Sequence, residues 1–493
     1  MRTTNNSMNM IKLDETNDKR KIPVYVIFLS LVLLAALVRL PGMFSDFWFD
    51  EIWTLNIAKS ANSTLDIFTK IRSSNNHHLN TLFFYLLGDR KHWELYRIHS
   101  FFAGFGTVVL SWFIARKMGR LEALLASILT CCSYLLIHFS SEARGYALVI
   151  FFAFASYLAL QDFAEKQRWF SAVVFWFCVC LGFLSHLMYL NFFIAAVAWL
   201  LFELFGKYKN KVYVTAYFLK CFGVPLVFLL CFYIFAVRGL VVEEASFRLI
   251  DILIKTLSHS GGGPAAGPIA AIVGITAAGL SLFAIVQLSD DKKSEWVFYL
   301  TVIFLLPAVA LSIKRPGVLY ERYFLISIAF NLVVSSHALA WLYRKNLVAK
   351  IAMAVLLFLF IAGNGINTFR FFKYGRGHYL EDLRYMAEHT PGNIITISSD
   401  QDAINGEVID YYRKFLPKDK IIRYIPNTSR FSQQIPTWII IYHAVPMIPT
   451  PPNIIDINGI IYERVKYTTY RYLSGFDWLI YRRKISDNVS PMK

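Results

Sequence analysis

The segment WFDEIWT, Trp48 to Thr54, sets two adjacent carboxylates, Asp50 and Glu51, among aromatic residues just after an apolar run. Acids are costly beside hydrocarbon, so such a pair is a solvated turn, a helix N-terminal cap, or a site held for chemistry. A carboxylate in a partly dehydrated pocket can take the proton of an incoming hydroxyl and so make it a nucleophile. Other segments supply complementary groups. NNHHLN carries His77, His78 and Asn80; SEARGY carries Glu142 and Arg144; KRPGVLYERYF carries Arg315, Arg322 and Tyr323. The guanidinium fork of Arg315, Arg322 or Arg144 matches the oxygens of a phosphate leaving group. The same acids offer a second use, a divalent cation (Mg or Mn) held by the hard oxygens of Asp50, Glu51 and Glu142. His77 and His78 are consecutive, which is not the i, i+4 spacing of a helical metal pair, and they read as hydrogen-bonding groups in a polar loop.

Each group also has a plainer role. Asp50 and Glu51 suit the cap of a following helix, and Glu142 and Arg144 suit a solvated loop. Arg322 suits an interfacial anchor or a local salt bridge with Glu321, and His186, alone at the end of an apolar run, suits a structural role. Trp48, Phe49 and Trp53 read as an interfacial aromatic belt.

Residues so far apart in sequence need a scaffold, and the composition says which kind. The chain is 56% hydrophobic and only 17% charged, against about 25% charged in soluble domains. This is the make-up of an integral membrane protein. Apolar runs of spanning length lie at 23–40, 97–114, 121–139, 146–162, 170–186, 188–205, 212–236, 268–288, 296–313, 322–342 and 348–365. The formal charge of +17 points to topology and not to a nucleic-acid partner, because the cations fall in alternate loops. With a cytoplasmic N-terminus, the inner segments carry Lys19 to Lys21, Arg116 to Arg120, Lys166 and Arg168, Lys207 to Lys211, Lys292 and Lys293, and Arg344 to Lys350. The first run ends in Leu40-Pro41-Gly42 without a small-x-small cleavage site and reads as a retained helix. All six cysteines lie in apolar stretches, so no disulfide framework is expected.

The expected fold is mainly α, a polytopic transmembrane helix bundle with a C-terminal extracytoplasmic α/β domain. Residues 1–22 form a cytoplasmic tail, 23–366 the membrane domain with a first external loop at 41–96, and 367–493 the α/β domain. The loop contains an interfacial helix from Asp50 to Ser60 and a short apolar stretch, Leu79 to Leu87. A further external loop at 238–267 holds SHSGGGPAAGP, whose glycines and prolines exclude regular helix. It is a connector or a mobile lid. The last part reads helix (HYLEDLRYMAEHT), strand (NIITIS), helix (DAINGEVIDYYRKF), then strands KIIRYI, TWIIIYH, IIYERVKYTTY and DWLIYRR, with PMIPTPPN as a Pro-rich turn. This topology gathers Asp50, Glu51, His77, Glu142, Arg144, His186, Arg315 and Arg322 on the outer face, and that convergence is the main functional signal.

The layout resembles the multi-spanning GT-C glycosyltransferases, and among them family 39, which includes protein O-mannosyltransferases and bacterial lipid A aminoarabinose transferases. The matching pieces are WFDEIWT in the first loop, NNHHLNTLFFYLL in place of a histidine-proline-rich segment, EARGYAL, and ERYF at the start of a late helix. Here His78-Leu79-Asn80 stands where many relatives have histidine followed by prolines. The resemblance implies inverting transfer of a sugar from a polyprenyl-phosphate donor to a lipid, glycan or protein acceptor, at the outer face of a bacterial inner membrane. Asp50 resembles the catalytic aspartate and Glu51 its supporting partner; Arg322 resembles the donor-phosphate arginine, with Tyr323 beside it. A lipid-linked donor reaches its site from the bilayer, consistent with the lack of a GxxxxGK[ST] or GxGxxG phosphate cradle. The rival class is a polytopic transporter or lipid flippase, in which related halves and broken helices meet at midplane.

Overall fold

In hydrocarbon every backbone polar group must be satisfied within its own segment, so long apolar runs become helices. The structure, a computed structural model, describes residues 24–240, 249–312, 320–427, 434–443, 452–467 and 473–484. The N-terminal tail, Arg315 and most of PMIPTPPN lie outside these residues. Among the described residues nine helices are long and apolar enough to cross a membrane, and the chain is an integral membrane protein. Within the described residues each expected apolar run is helical, and two depart from a simple span. The run at 121–139 is two helices, Arg120–Cys132 and Tyr134–Ser140, bent by 59°. At the bend the freed Tyr134 N–H donates to Asn364 Oδ1 at 2.8 Å, which offsets the lost helical bond. The run at 170–186 is a shorter apolar helix, Trp169–Ser185, packed on Tyr146–Lys166.

The helix Leu325–Lys345 runs through the centre and is buried from Leu325 to Ser336. Its Phe330 joins an aromatic core in which Phe298 lies 4.3 Å from Tyr157 and 4.8 Å from Phe330. At its far end Arg344 makes a two-pronged pair with Glu122, 2.6 and 2.8 Å, tying it to the Arg120–Cys132 helix. Anchored there, the helix presents its opposite end, preceded by the turn Glu321–Phe324, to the polar face.

The first loop forms helices Phe49–Ser60, Thr64–Thr69 and His78–Leu87, then the short turn Trp93–Arg97. The 238–267 segment holds a helix the sequence reading did not place: Leu249–Ser260 is an amphipathic α-helix that reaches into the first three residues of SHSGGGPAAGP, and the glycines at 261–263 end it. The Gly and Pro residues lie past its last turn, so they set its stop and do not prevent it. The helix Leu347–Tyr374 passes straight through position 367, and the chain leaves it at Gly375 with φ +63°.

The C-terminal part is a six-stranded sheet with strands β1 (Ile394–Ser399), β2 (Ile421–Ile425), β3 (Trp438–His443), β4 (Ile454–Ile457), β5 (Ile460–Lys466) and β6 (Asp477–Arg483). The order is β2-β1-β3-β6-β5-β4, parallel around β1 and antiparallel from β3 outward. β4 is not among the expected strands; it pairs with β5 through Asn458-Gly459, both at positive φ, the signature of a tight hairpin. Helices Tyr379–Glu388 and Asp402–Tyr412 cover one face. Their core does not stop at the sheet. Tyr379, Leu383 and Tyr412 pack in one continuous cluster with Phe47, Trp48, Ile52 and Phe84 of the first loop, so the α/β part and the loop share a hydrophobic core.

Candidate active site

Asp50 and Glu51 both fall in the first turn of the helix Phe49–Ser60. Consecutive helical residues point about 100° apart, so the pair divides. Glu51 turns inward and is fully buried. Its Oε1 accepts from Arg97 Nε at 2.8 Å and from the Ala143 N–H at 2.6 Å. Its Oε2 accepts from Arg97 Nη2 at 2.5 Å and from the Trp48 N–H at 3.2 Å. Burial opposes its charge, but the Arg97 guanidinium and these donors outweigh that and hold the carboxyl below its ordinary range. Glu51 thus clasps the start of one helix to the loop at 142–145.

Asp50 turns the other way, toward Arg322 and Arg144. Its Oδ2 lies 3.3 Å from Arg322 Nη1 and 3.6 Å from Arg144 Nη2. Arg144 also donates to Thr54 Oγ1 at 3.2 Å and to Asn75 Oδ1, while Asn75 Nδ2 donates to the Asp50 carbonyl at 3.0 Å. Arg322 stacks over the Tyr320 ring at 4.3 Å, with Tyr146 and Tyr323 each 5.9 Å away. Its sequence neighbour Glu321 does not pair with it: Lys255 of the unexpected helix takes Glu321 at 2.5 Å and leaves Arg322 for Asp50.

The Nε–H groups of both Arg144 and Arg322 are buried with no acceptor among the described residues. Buried donors in native structures are normally paired. Two guanidiniums facing one carboxylate, each with a spare donor, form a site with room in its charge balance for an anion.

Two imidazoles, His77 and His186, pack beside them. His77 Nδ1 accepts from the Gly145 N–H at 3.0 Å, and burial, then Arg144 and His186, holds His77 well below its usual value. His186, half-buried, lies against the rings of Tyr146 and Tyr323, 5.2 and 6.1 Å away. The two imidazole rings meet edge-on at 4.4 Å. Position 145 requires glycine for a steric reason, since a Cβ there would lie 1.9 Å from the Ser185 carbonyl oxygen.

Other expected site residues stand further back. Asn80 donates to the Ala143 carbonyl at 3.1 Å and so supports the Arg144 loop. His78 packs between Phe68 and Phe232, 5.8 and 5.1 Å away, in an apolar niche. Glu142 is buried, and its Oε1 accepts from Trp48 Nε1 at 3.1 Å and its Oε2 from Ser474 Oγ at 2.9 Å. Burial raises its carboxyl pKa above the ordinary range. Trp48 is therefore a buried link and not part of an interfacial belt; its indole N–H needed a partner and found Glu142. Phe49 and Trp53 stack on each other at 5.6 Å, half-buried.

A divalent cation does not fit Asp50, Glu51 and Glu142 as a set. Glu51 has both oxygens taken by four donors, Glu142 has both taken by neutral donors, and Asp50 faces two arginines. Among the described residues no three His, Cys, Asp or Glu side chains come together in a metal-holding group.

Three residues of this architecture had no place in the sequence reading. Arg97 opened an apolar run and looked like a flank. Arg376, buried, donates to the Gly42 and His138 carbonyls at 3.1 and 2.8 Å. Ser474 comes from the segment before β6, reaching Glu142 and also His138 Nε2 at 3.1 Å.

No family model matches the sequence, and no curated protein matches it. The structure is similar to the crystal structure of ArnT from Cupriavidus metallidurans in the apo state, with a TM-score of 0.53 at 10% identity, covering 85% of this chain and 93% of that one. Weaker likenesses are to the same protein bound to undecaprenyl phosphate, at TM-score 0.47, 11% identity and 95% and 99% coverage. Another is to the archaeal oligosaccharyltransferase AglB from Archaeoglobus fulgidus in complex with an inhibitory peptide and a dolichol-phosphate, at 0.48, 11%, and 84% and 69%. The fold of this chain is similar to that of ArnT, a helix bundle with a small C-terminal sheet.

Proposed function

We propose that the protein is an inverting glycosyltransferase that moves a sugar from a polyprenyl-phosphate donor to a hydroxyl of a lipid, glycan or protein acceptor. The observation that carries this reading is Asp50 held between Arg322 and Arg144, each with a spare Nε–H. The ArnT-like fold and the WFDEIWT and ERYF motifs support it. In the reaction, the acceptor oxygen attacks the anomeric carbon from the side opposite the phosphate. The bond between that carbon and the phosphate oxygen breaks, and the polyprenyl phosphate leaves with the electron pair, its charge held by Arg322 and Arg144. Asp50 takes the acceptor proton. Tyr320 and Tyr323 brace Arg322, and His77, held well below its usual value by burial and Arg144, adds no charge at neutral pH. Glu51 and Glu142 position these groups through Arg97, Ala143 and Trp48. No step passes through a metal ion.

The basic clusters in alternate loops favour a cytoplasmic N-terminus, with Asp50 and the α/β domain outside a bacterial inner membrane. The membrane domain, through the helix Leu347–Tyr374, carries the chemistry, and the α/β part after Gly375 braces it. The test is transfer by purified protein, using labelled polyprenyl-phosphate sugars and a membrane lipid extract. Label should move to an acceptor with wild type and not with folded Asp50→Asn. Normal transfer by Asp50→Asn removes the base from Asp50, and substrate-driven uptake into liposomes without covalent product replaces the enzyme with a transporter.

A further inference from the structure

Outside the site, two clefts lie along the helix Leu347–Tyr374. One, of about 580 Å³, is floored by Ala362, Gly365, Ile366 and Phe369 and ends at Arg370 and Lys373. These positions recur at three- and four-residue spacing, so they share one helix face. An added Cβ at Gly365 would meet nothing within 4 Å, and the groove is open there. Ile366 and Phe369 are exposed, as befits contact with acyl chains. Arg370 and Lys373 are exposed and stand one turn apart near the end of this spanning helix. No carboxylate pairs with either among the described residues; Lys373 only leans over the Tyr374 ring at 5.1 Å.

From Ala362 to Lys373 the face extends about 16 Å, enough to lay down much of one acyl chain. Below is an apolar trough; above, two cations without counter-ions. The adjoining cleft, about 290 Å³, shares Lys373 and opens onto Ser45 and Asp46. Asp46 accepts from the Leu380 N–H at 3.1 Å, so the anionic head fits at Arg370 and Lys373 and not deeper.

We infer that this groove is a binding site for an anionic phospholipid of the surrounding bilayer, its phosphate on Arg370 and Lys373 and one acyl chain along Ala362 to Phe369. The site uses neither Arg144 nor Arg322 and does not depend on the transferase reading. A basic pair at the end of a spanning helix, with no paired carboxylate among the described residues, attracts anionic headgroups.

The test uses full-length protein in phosphatidylcholine nanodiscs titrated with phosphatidylglycerol. Lipid retained after extraction is measured by native mass spectrometry, and stability by the thermal midpoint. Wild type should retain phosphatidylglycerol over phosphatidylcholine and gain stability with it. Arg370→Gln/Lys373→Gln should lower that preference about thirtyfold while melting normally in phosphatidylcholine alone. Gly365→Leu keeps both cations, fills the trough and should also lower retention. Unchanged phosphatidylglycerol preference in both variants overturns the site. So does equal stabilisation by inorganic phosphate, which would mean a simple anion site, or loss of polyprenyl phosphate binding alone, which would make the groove part of the donor path.

Discussion

Asp50→Asn should bind donor phosphate more tightly than wild type even as it loses transfer. In the free protein the Asp50 carboxylate occupies the guanidiniums that the phosphate needs, at 3.3 and 3.6 Å. At an effective dielectric of about 20, each such pair is worth roughly 5 kcal/mol of gross Coulomb energy. Most of this is cancelled, since both partners would otherwise be hydrated and the Asp50 side chain is 13% exposed. A net competition of about 1–2 kcal/mol remains, so removing the charge should tighten the donor phosphate about tenfold. The same exchange frees the carboxylate in wild type: once the phosphate takes the arginines, Asp50 is available for the acceptor proton. Transfer by the variant should fall about 10²- to 10⁴-fold, the usual worth of a general base. The measurement is equilibrium binding of labelled polyprenyl phosphate, with single-turnover transfer alongside. Asp89→Asn is the control, because that exposed carboxylate pairs with Lys59 and Lys414 instead. Equal or weaker phosphate binding by Asp50→Asn would refute the reasoning, since the arginines would then not be the phosphate ligands.

Glu51→Gln breaks a fully buried ion pair and leaves Arg97 without its counter-charge. It should lower stability by about 3–5 kcal/mol, read as a fall in thermal midpoint, and a stable variant that had lost only transfer would contradict the clasp. Acid should weaken the fold through His78. Buried in its apolar niche, with Arg72 a smaller influence, its imidazole is pushed from 6.5 down to about 4. Below 6.5 the unfolded chain binds a proton that the folded one refuses, so stability falls as pH drops through this window, by about 3 kcal/mol in full. His77 acts in the same direction. Thermal midpoints across this pH range should flatten in His78→Phe, and an unchanged slope would remove the histidine from the account.

How legible was this in the sequence? The apolar runs located the spans because hydrocarbon permits few alternatives to helix, and the short runs after Asp50 and at Leu79 to Leu87 became helices that bury an apolar face against the α/β part. Boundaries set by side-chain partners were not legible. The bend near Ser133 depends on Asn364, more than two hundred residues away, and the helix before the Gly-rich stretch was hidden by its own stop signal. β4 carried a readable Asn458-Gly459 turn that was passed over among the prolines. At the site, the motif located the acids but not their division of labour. That follows from helix rotation, which turns Glu51 onto Arg97 and Asp50 toward Arg322. Arg97, Arg376 and Ser474 act by reaching backbone or buried groups far along the chain, and no local pattern marks such a contact.

The bond from Ser474 to Glu142 joins residues 332 positions apart, and Tyr412 reaches Phe47 across 365. Every group proposed to touch substrate is synthesised by Tyr323, yet the loop that carries Arg144 receives its last buried donor only near the end of the 493-residue chain. Contacts of such separation form late, because their loop-closure cost must be met first. During biogenesis the first loop is therefore made early and completed last. A nascent chain halted before residue 474 would carry every group proposed to touch substrate and still lack the Ser474 donor that holds the Arg144 loop in register.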